Sequence, residues 1–123
     1  MSYTFFYTDY CEGKSIPSEE AWDVDLDDFI HSMDCVLHMP NNFIGLTNGA
    51  GQTLQFIVED DSRVTIDIPI LKDNEYVRSK RKTTELSVCL DLVKNLSGKE
   101  DFYKLLPEEQ DLNDQGKSWW KFW

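Results

Sequence analysis

The chain has 123 residues and a formal net charge of −11. Hydrophobic residues make up 41% of it and aromatic residues 13%, which is enough apolar surface for a folded domain despite the charge. Strong negative charge repels nucleic acids and anionic membranes, so we expect no direct nucleic-acid partner and no membrane partner. A basic protein is the partner that this charge favours.

The acidic residues are concentrated in the first third of the chain. Between Met1 and Asp34 there are nine carboxylates and a single basic residue, Lys14. The nine are Asp9, Glu12, Glu19, Glu20, Asp23, Asp25, Asp27, Asp28 and Asp34. We expect this part of the molecule to attract cations or basic proteins.

The sequence also bears on location and domain organisation. Its start has neither the basic nor the long apolar segment of a secretory signal, and no apolar run approaches the roughly 18 residues of a membrane span. We therefore expect a cytoplasmic protein, and the length predicts a single domain over residues 1–123. Cys11, Cys35 and Cys89 lack CxxC spacing, which favours reduced thiols over disulfides or a zinc site.

The N-terminal part of the chain predicts a strand, a loop and a helix. Aromatic residues and Thr favour an extended segment over Tyr3 to Tyr10, which could be an edge strand, and Glu12 to Ser18 is then a loop. From Leu26 the apolar residues recur at helical spacing. Asp25 is a candidate N-terminal cap for this helix, and Pro40 should end it.

The middle of the chain predicts an antiparallel β-meander with one buried face and one solvated face. Strands over Phe43 to Thr47 and Gln52 to Val58 are joined by a glycine-containing turn. After a polar turn, a third strand alternates apolar and polar residues from Val64 to Ile68. Pro69 should end it, because proline cannot donate to a β-ladder.

The last third predicts a basic segment and a second helix. Lys72 to Lys82 contains the basic cluster of the chain and should form a loop or a short edge strand. Thr84 can cap a helix with Cys89 on its buried stripe and Gly98 at its end, and a short helix should then reach Pro107. The predicted fold is α+β, an antiparallel β-meander sheet packed on one face by two main helices.

Three residues on the first helix could contribute to a metal site. His31, Cys35 and His38 follow i, i+4 and i+7 spacing, but the two histidines would lie about 10 Å apart along the helix axis, too far to share one ion. The alternatives are a pair of ligands completed by another element, or a polar helix surface facing solvent or a partner. No spacing marks a further ligand, so we expect no metal and no cofactor.

The sequence contains no GxSxG, P-loop, HExxH or GxGxxG pattern. Its paired carboxylates lie in polar runs, which is typical of solvated surfaces rather than of general acid–base sites. Cys89 falls on an apolar helical stripe, where a thiol is usually an inert hydrophobic group. We therefore expect no catalytic residues and a protein that binds rather than an enzyme.

The aromatic tail over residues 117–123 ends in WWKFW. Such a cluster can complete a small core or anchor an interface, and both interpretations stay open. Together with the acidic helix and the acidic turn, it supplies the candidate partner-binding residues. These are Asp25, Asp27, Asp28, Glu59, Asp60, Asp61, Trp119 and Trp120.

The order of elements resembles a known class of protein. An acidic helix ending in MPNNFIGLT, the hairpin GQTLQFIVEDD, the strand RVTIDIP and the helix TTELSVCLDLV before a terminal Trp are similar to small immunity proteins of bacterial polymorphic toxin systems. The resemblance covers residues 22–123 and rests on the apolar pattern and turn residues. The dense WWKFW cluster departs from the single terminal Trp expected there.

The resemblance implies a cytoplasmic, non-enzymatic protein that binds one cognate toxin domain and occludes its active site or substrate groove. Many such toxin domains are basic, which agrees with an acidic inhibitor. The alternative is a phage-type acidic inhibitor, or nucleic-acid mimic, of a host protein. The oligomeric state stays open.

Overall fold

A computed structural model of the chain describes residues 3–98 and 100–106. Its seven strands are β1 (Tyr3–Asp9), β2 (Lys14–Ile16), β3 (Trp22–Val24), β4 (Phe43–Thr47), β5 (Thr53–Val58), β6 (Val64–Lys72) and β7 (Glu75–Thr84). The two α-helices are α1 (Leu26–Val36) and α2 (Leu86–Lys94), and short 3-10 turns occupy Ser18–Glu20 and Phe102–Lys104. The predicted α+β fold is confirmed.

The strands form one open antiparallel sheet in the order β2-β1-β4-β5-β6-β7. β4 pairs with one edge of β1. β2 and β3 share the other edge, with Ile16 opposite Tyr7 and Trp22 opposite Phe5. β1 is therefore an interior strand, not the edge strand that its composition allowed. β2 lies inside the segment predicted as a loop, because three residues are too few to show a strand periodicity.

Both helices pack on the same face of the sheet. Cross-strand neighbours such as Ile44, Phe56 and Ile66 lie side by side on that face and are almost fully buried. Phe29 of α1 and Val93 of α2 belong to the same apolar cluster and have no exposed surface. Each such side chain contributes about 1.5–3 kcal/mol on burial, so this layer is the core of the fold.

The ends of α1 are set by side chains that bond to the backbone. The Asp25 carboxylate accepts a hydrogen bond from the Asp28 backbone N–H at 2.8 Å, as the predicted cap requires. The helix ends at Val36, before Pro40. The Asn42 side-chain amide donates to the Val36 carbonyl at 2.9 Å and so satisfies a carbonyl of the last turn. α2 begins one residue later than predicted, with Glu85 at its N-cap and no side-chain cap bond.

The helix-free face of the sheet is not simply a solvated surface, which corrects the sequence prediction. Gln55 and Asp67 lie opposite each other on it and are 2% and 0% exposed. The Gln55 side chain and Arg81 Nε both donate to the Asp67 carboxylate at 3.0 Å. Burial raises the pKa of Asp67, and the charge of Arg81 opposes that rise. Pairing and hydrogen bonds make this buried charge tolerable.

The basic segment is the edge strand of the two predicted alternatives, but it is long rather than short. β7 pairs along the whole of β6, with Arg81 opposite Asp67 and Ser79 opposite Pro69. Pro69 does not end the ladder as predicted. The residues of β6 that pair with β5 stop at Asp67, so the missing N–H of Pro69 falls beyond that ladder.

Among the described residues, no helix is long and apolar enough to cross a membrane.

Candidate partner-binding site

The predicted acidic cluster of α1 lies at the N-terminal end of that helix. Asp25, Asp27 and Asp28 are all exposed. Asp25 has a structural role as the cap, and carboxylates in the first turn also stabilise the positive end of the helix dipole. These residues are therefore explained in part by helix stability, and their exposure leaves them accessible to a partner as well.

The acidic turn formed by residues 59–61 lies at the opposite end of the sheet from that cluster. Tyr3, at one end of β1, pairs with Val24 beside the start of α1. Thr8, near the other end, is in register with Phe43 and through it with Ile57, close to the turn. The two ends of β1 are about 20 Å apart at the usual rise per residue. The structure therefore does not bring the two predicted acidic sets together.

Two carboxylates of the turn already have partners in the residues that follow it. Arg63 donates to the Asp61 carboxylate through its Nε at 2.9 Å and through its backbone N–H at 3.1 Å. These hydrogen bonds lower the pKa of Asp61. Glu59 accepts a hydrogen bond from the Thr65 hydroxyl. Asp60 is exposed and completes the set.

A groove lies between α1 and the strands β1, β2 and β3, with a volume of about 520 Å³. We call it the α1 groove. Its floor is the aromatic side chains of one sheet face, Phe5, Tyr7 and Trp22, and its wall includes His31 and Cys35 of α1. The Phe5 and Tyr7 rings stack with centroids 5.9 Å apart, and Trp22 lies directly opposite Phe5 in the β1–β3 pair. We call these three side chains the aromatic row: a stacked pair, Phe5 and Tyr7, with Trp22 on the neighbouring strand.

Trp22 is the functional candidate that sequence reasoning missed. Its side chain is 63% exposed, although tryptophan usually buries most of its surface. The available signal was its position within an acidic segment, SEEAWDVD, with little apolar sequence around it. A large, exposed aromatic side chain beside a groove is typical of an interface anchor.

The structure places His31, Cys35 and His38 along the α1 groove. Cys35 Sγ lies 3.7 Å from His31 Nε2 on the exposed side of the helix. α1 ends at Val36, so His38 lies beyond it and the assumed helical spacing does not extend that far. Among the described residues, no group of three or more His, Cys, Asp or Glu side chains is placed to hold a metal ion. The arrangement fits a polar wall of a binding groove.

Cys89 lies in the core, as its position on the apolar stripe predicted. It has no exposed surface, and burial raises the pKa of its thiol to about 12. Such a thiol contains almost no thiolate at neutral pH and is a poor nucleophile.

Two exposed carboxylates, Glu12 and Asp34, line the α1 groove together with one lysine, Lys14, and the imidazoles of His31 and His38. The third carboxylate there, Asp9, is 5% exposed and has a structural role. It accepts hydrogen bonds from the Asn42 side chain at 2.9 Å and from the backbone N–H groups of the following turn. With both histidines neutral, Glu12, Asp34 and Lys14 leave one formal negative charge among the exposed groups of the groove.

A second groove, of about 380 Å³, opens on the helix-free side of the sheet and differs in charge. Phe6, Tyr10 and Ile57 line it with several hydroxyl and amide side chains, and its lining contains no ionisable acid or base apart from the Tyr10 phenol. Charge therefore distinguishes the α1 groove as the candidate site for a basic partner.

The predicted anchors Trp119 and Trp120 lie outside the described residues, as does the whole of the tail 117–123. A scan against protein-family models, a search of curated proteins and a search of solved structures each found no match for the chain.

Proposed function

We propose that this protein is a cytoplasmic immunity protein that binds and neutralises a cognate, basic toxin domain, and that it acts by binding rather than by catalysis. The observation that carries this proposal is an open aromatic groove lined in part by α1, the helix whose exposed surface carries Asp27, Asp28 and Asp34. The order of elements, which resembles immunity proteins, supplies the biological context.

The acidic and aromatic parts of this surface would make different contributions to binding. Exposed carboxylates such as Asp27, Asp28 and Asp34 steer a basic partner during diffusion and raise the association rate. Desolvated aromatic side chains supply most of the affinity at protein interfaces, where tryptophan and tyrosine are enriched. Trp22 and Tyr7 provide such groups in the same groove as Asp34.

Neutralisation follows from the same charge pattern. A toxin domain that acts on nucleic acid presents a basic substrate groove, because it must bind phosphates. An acidic helix surface that covers this groove competes directly with the substrate. Inhibition then requires that the complex dissociates slowly compared with the time in which a free toxin domain would bind its substrate.

The test is co-expression of the full chain with the C-terminal domain encoded by the reading frame directly upstream. We expect rescue of growth, and a stoichiometric complex on affinity capture. A variant of the toxin domain without catalytic activity should still be captured, since occlusion does not depend on turnover. Toxicity unchanged by co-expression, with no complex formed, would contradict the proposed pairing.

The alternative, an acidic inhibitor or nucleic-acid mimic of a host protein, predicts a different outcome. Capture of a host nuclease or repressor by the wild-type chain, together with failure to bind the neighbouring toxin domain, would favour it. Mimicry of a nucleic acid requires carboxylates at regular spacing along one surface. The two described acidic sets lie at opposite ends of the sheet, which fits that requirement poorly.

A further inference from the structure

The floor of the α1 groove is suited to a flat cationic group. Trp22, Phe5 and Tyr7 are neighbours on one face of the sheet. Phe29 of α1 packs against Phe5 from the core, with the two rings edge to face and their centroids 6.3 Å apart. Because Phe29 is fully buried, Phe5 is held from below, whereas Trp22 stays open to solvent.

Carboxylates lie close to this aromatic row. Glu12 and Asp34 are exposed and line the same groove. Eight of the nine acidic residues between Met1 and Asp34 are exposed, so this part of the chain presents an acidic surface. An aromatic face beside carboxylates is the combination that stabilises a bound cation through both cation–π and ionic interactions.

We infer that the α1 groove binds an arginine side chain of the basic partner, with the guanidinium against Trp22 and its charge directed to the exposed carboxylate of Asp34; this rests on the proposed function. Arginine fits better than lysine for two reasons. Its planar group stacks on aromatic rings, and it is more weakly hydrated than an ammonium group. Its donors can also engage a carboxylate while the ring face is occupied.

This inference makes the acidic turn at residues 59–61 a poorer site for the same cation. Asp61 is already paired with Arg63 and Glu59 with Thr65. The described residues that line the cavity at this turn are all polar or charged and include no aromatic side chain. The turn can attract a basic partner over distance, but it offers no stacking surface.

The first experiment uses short peptides and does not need the toxin. Acetylated tetra-arginine, tetra-lysine and tetra-citrulline are titrated into the ¹⁵N-labelled full chain at low salt. We expect tetra-arginine to shift the Trp22 indole and Cys35 amide signals saturably, with roughly fivefold tighter binding than tetra-lysine. Citrulline, which keeps the planar shape and loses the charge, should produce no shift. Equal binding of the two cationic peptides, or shifts outside the groove only, would overturn the inference.

The second experiment uses variants in the complex with the toxin domain. Trp22→Ala should weaken the complex by about 30-fold, as expected for an interface anchor, and Trp22→Phe should restore most of the affinity. Asp34→Asn should weaken it, whereas Asp91→Asn, which removes an exposed carboxylate from α2, should not. Thermal unfolding of each variant checks that the fold is intact.

The outcomes separate this inference from the proposed function. A toxin complex that is insensitive to Trp22→Ala and Asp34→Asn would overturn the inference and leave the immunity function standing. Selective binding of tetra-arginine in the groove, with no toxin complex, would overturn the immunity function and leave the arginine site standing.

Two other occupants of the groove have their own signatures. A second copy of the chain would protect Trp22 in a concentration-dependent manner, with dimers seen by analytical ultracentrifugation. The tail of the same chain would give contacts between Trp22 and the tail indoles at every concentration. Either result would overturn the inference.

Discussion

The two helices bury the same positions against the sheet, but their exposed positions carry different side chains. Residues 24–36 and 84–96 have an identical order of buried, half-buried and exposed positions, sixty residues apart. Phe29 and Cys89 hold the same buried place, as do Met33 and Val93. Packing on a shared sheet face explains this agreement, because each helix must bury one apolar stripe.

Packing does not explain the outer surfaces. The exposed positions of the first segment are Asp25, Asp27, Asp28, His31, Asp34 and Cys35, and those of the second are Glu85, Ser87, Val88, Asp91, Lys94 and Asn95. The first set has four carboxylates and no Lys or Arg, whereas the second has two carboxylates and a lysine. One of these four carboxylates, Asp34, lines the α1 groove, and the other three lie at the N-terminal end of the same helix. This difference supports a role for α1 in binding and a structural role for α2.

The largest expected difference between the two helices is in the unfolding free energy lost when Phe29 or Cys89, the buried residues at equivalent positions, is replaced. Phe29→Ala should reduce the free energy of unfolding by about 3–5 kcal/mol, because it leaves a cavity under Phe5. Cys89→Ala removes far less volume and should cost about 1 kcal/mol. Urea unfolding followed by circular dichroism measures both. Equal losses would show that α1 does not contribute the larger part of the shared core.

The cysteines give the next largest contrast. Cys35 is exposed on α1 and Cys89 is buried on α2, with its pKa raised to about 12. Iodoacetamide at pH 8 should modify Cys35 at least about 100-fold faster than Cys89, because only the thiolate reacts. Mass spectrometry of timed samples, with the exposed Cys11 as a reference, gives the two rates. Comparable rates would mean that α2 detaches readily from the sheet.

The smallest expected effect concerns the two N-caps. Asp25→Ala should cost about 1 kcal/mol, since it removes the 2.8 Å bond to the Asp28 N–H. Glu85→Ala should change stability by no more than about 0.5 kcal/mol, because Glu85 makes no side-chain cap bond. Thermal unfolding distinguishes the two. A larger loss for Glu85→Ala would reverse the assignment of caps.

The sequence predicted the elements that have a clear period. Both helices follow from apolar spacing, and β4, β5 and the start of β6 follow from alternation and turns. β3 has only three residues, too few to show a period. β7 pairs along the whole of β6, and its Arg81 forms an ion pair with the buried Asp67. These are tertiary contacts that no local pattern shows.

The candidate site was predictable in charge but not in shape. The acid of α1 is visible in the composition, and so is the His31 and Cys35 face. The groove beside them exists because β3 aligns Trp22 with Phe5, and no local pattern encodes that register. The separation of α1 from the turn at residues 59–61 likewise follows from the topology of the sheet.

The central claim is that a basic partner associates through α1. The most direct test compares two triple variants that each remove three negative charges, Asp27→Asn/Asp28→Asn/Asp34→Asn on α1 and Glu59→Gln/Asp60→Asn/Asp61→Asn at the turn. Stopped-flow association with the basic toxin domain at low salt should be slowed at least about tenfold by the α1 set and less than about threefold by the turn set. Equal slowing by both sets, or a larger effect of the turn, would contradict the claim.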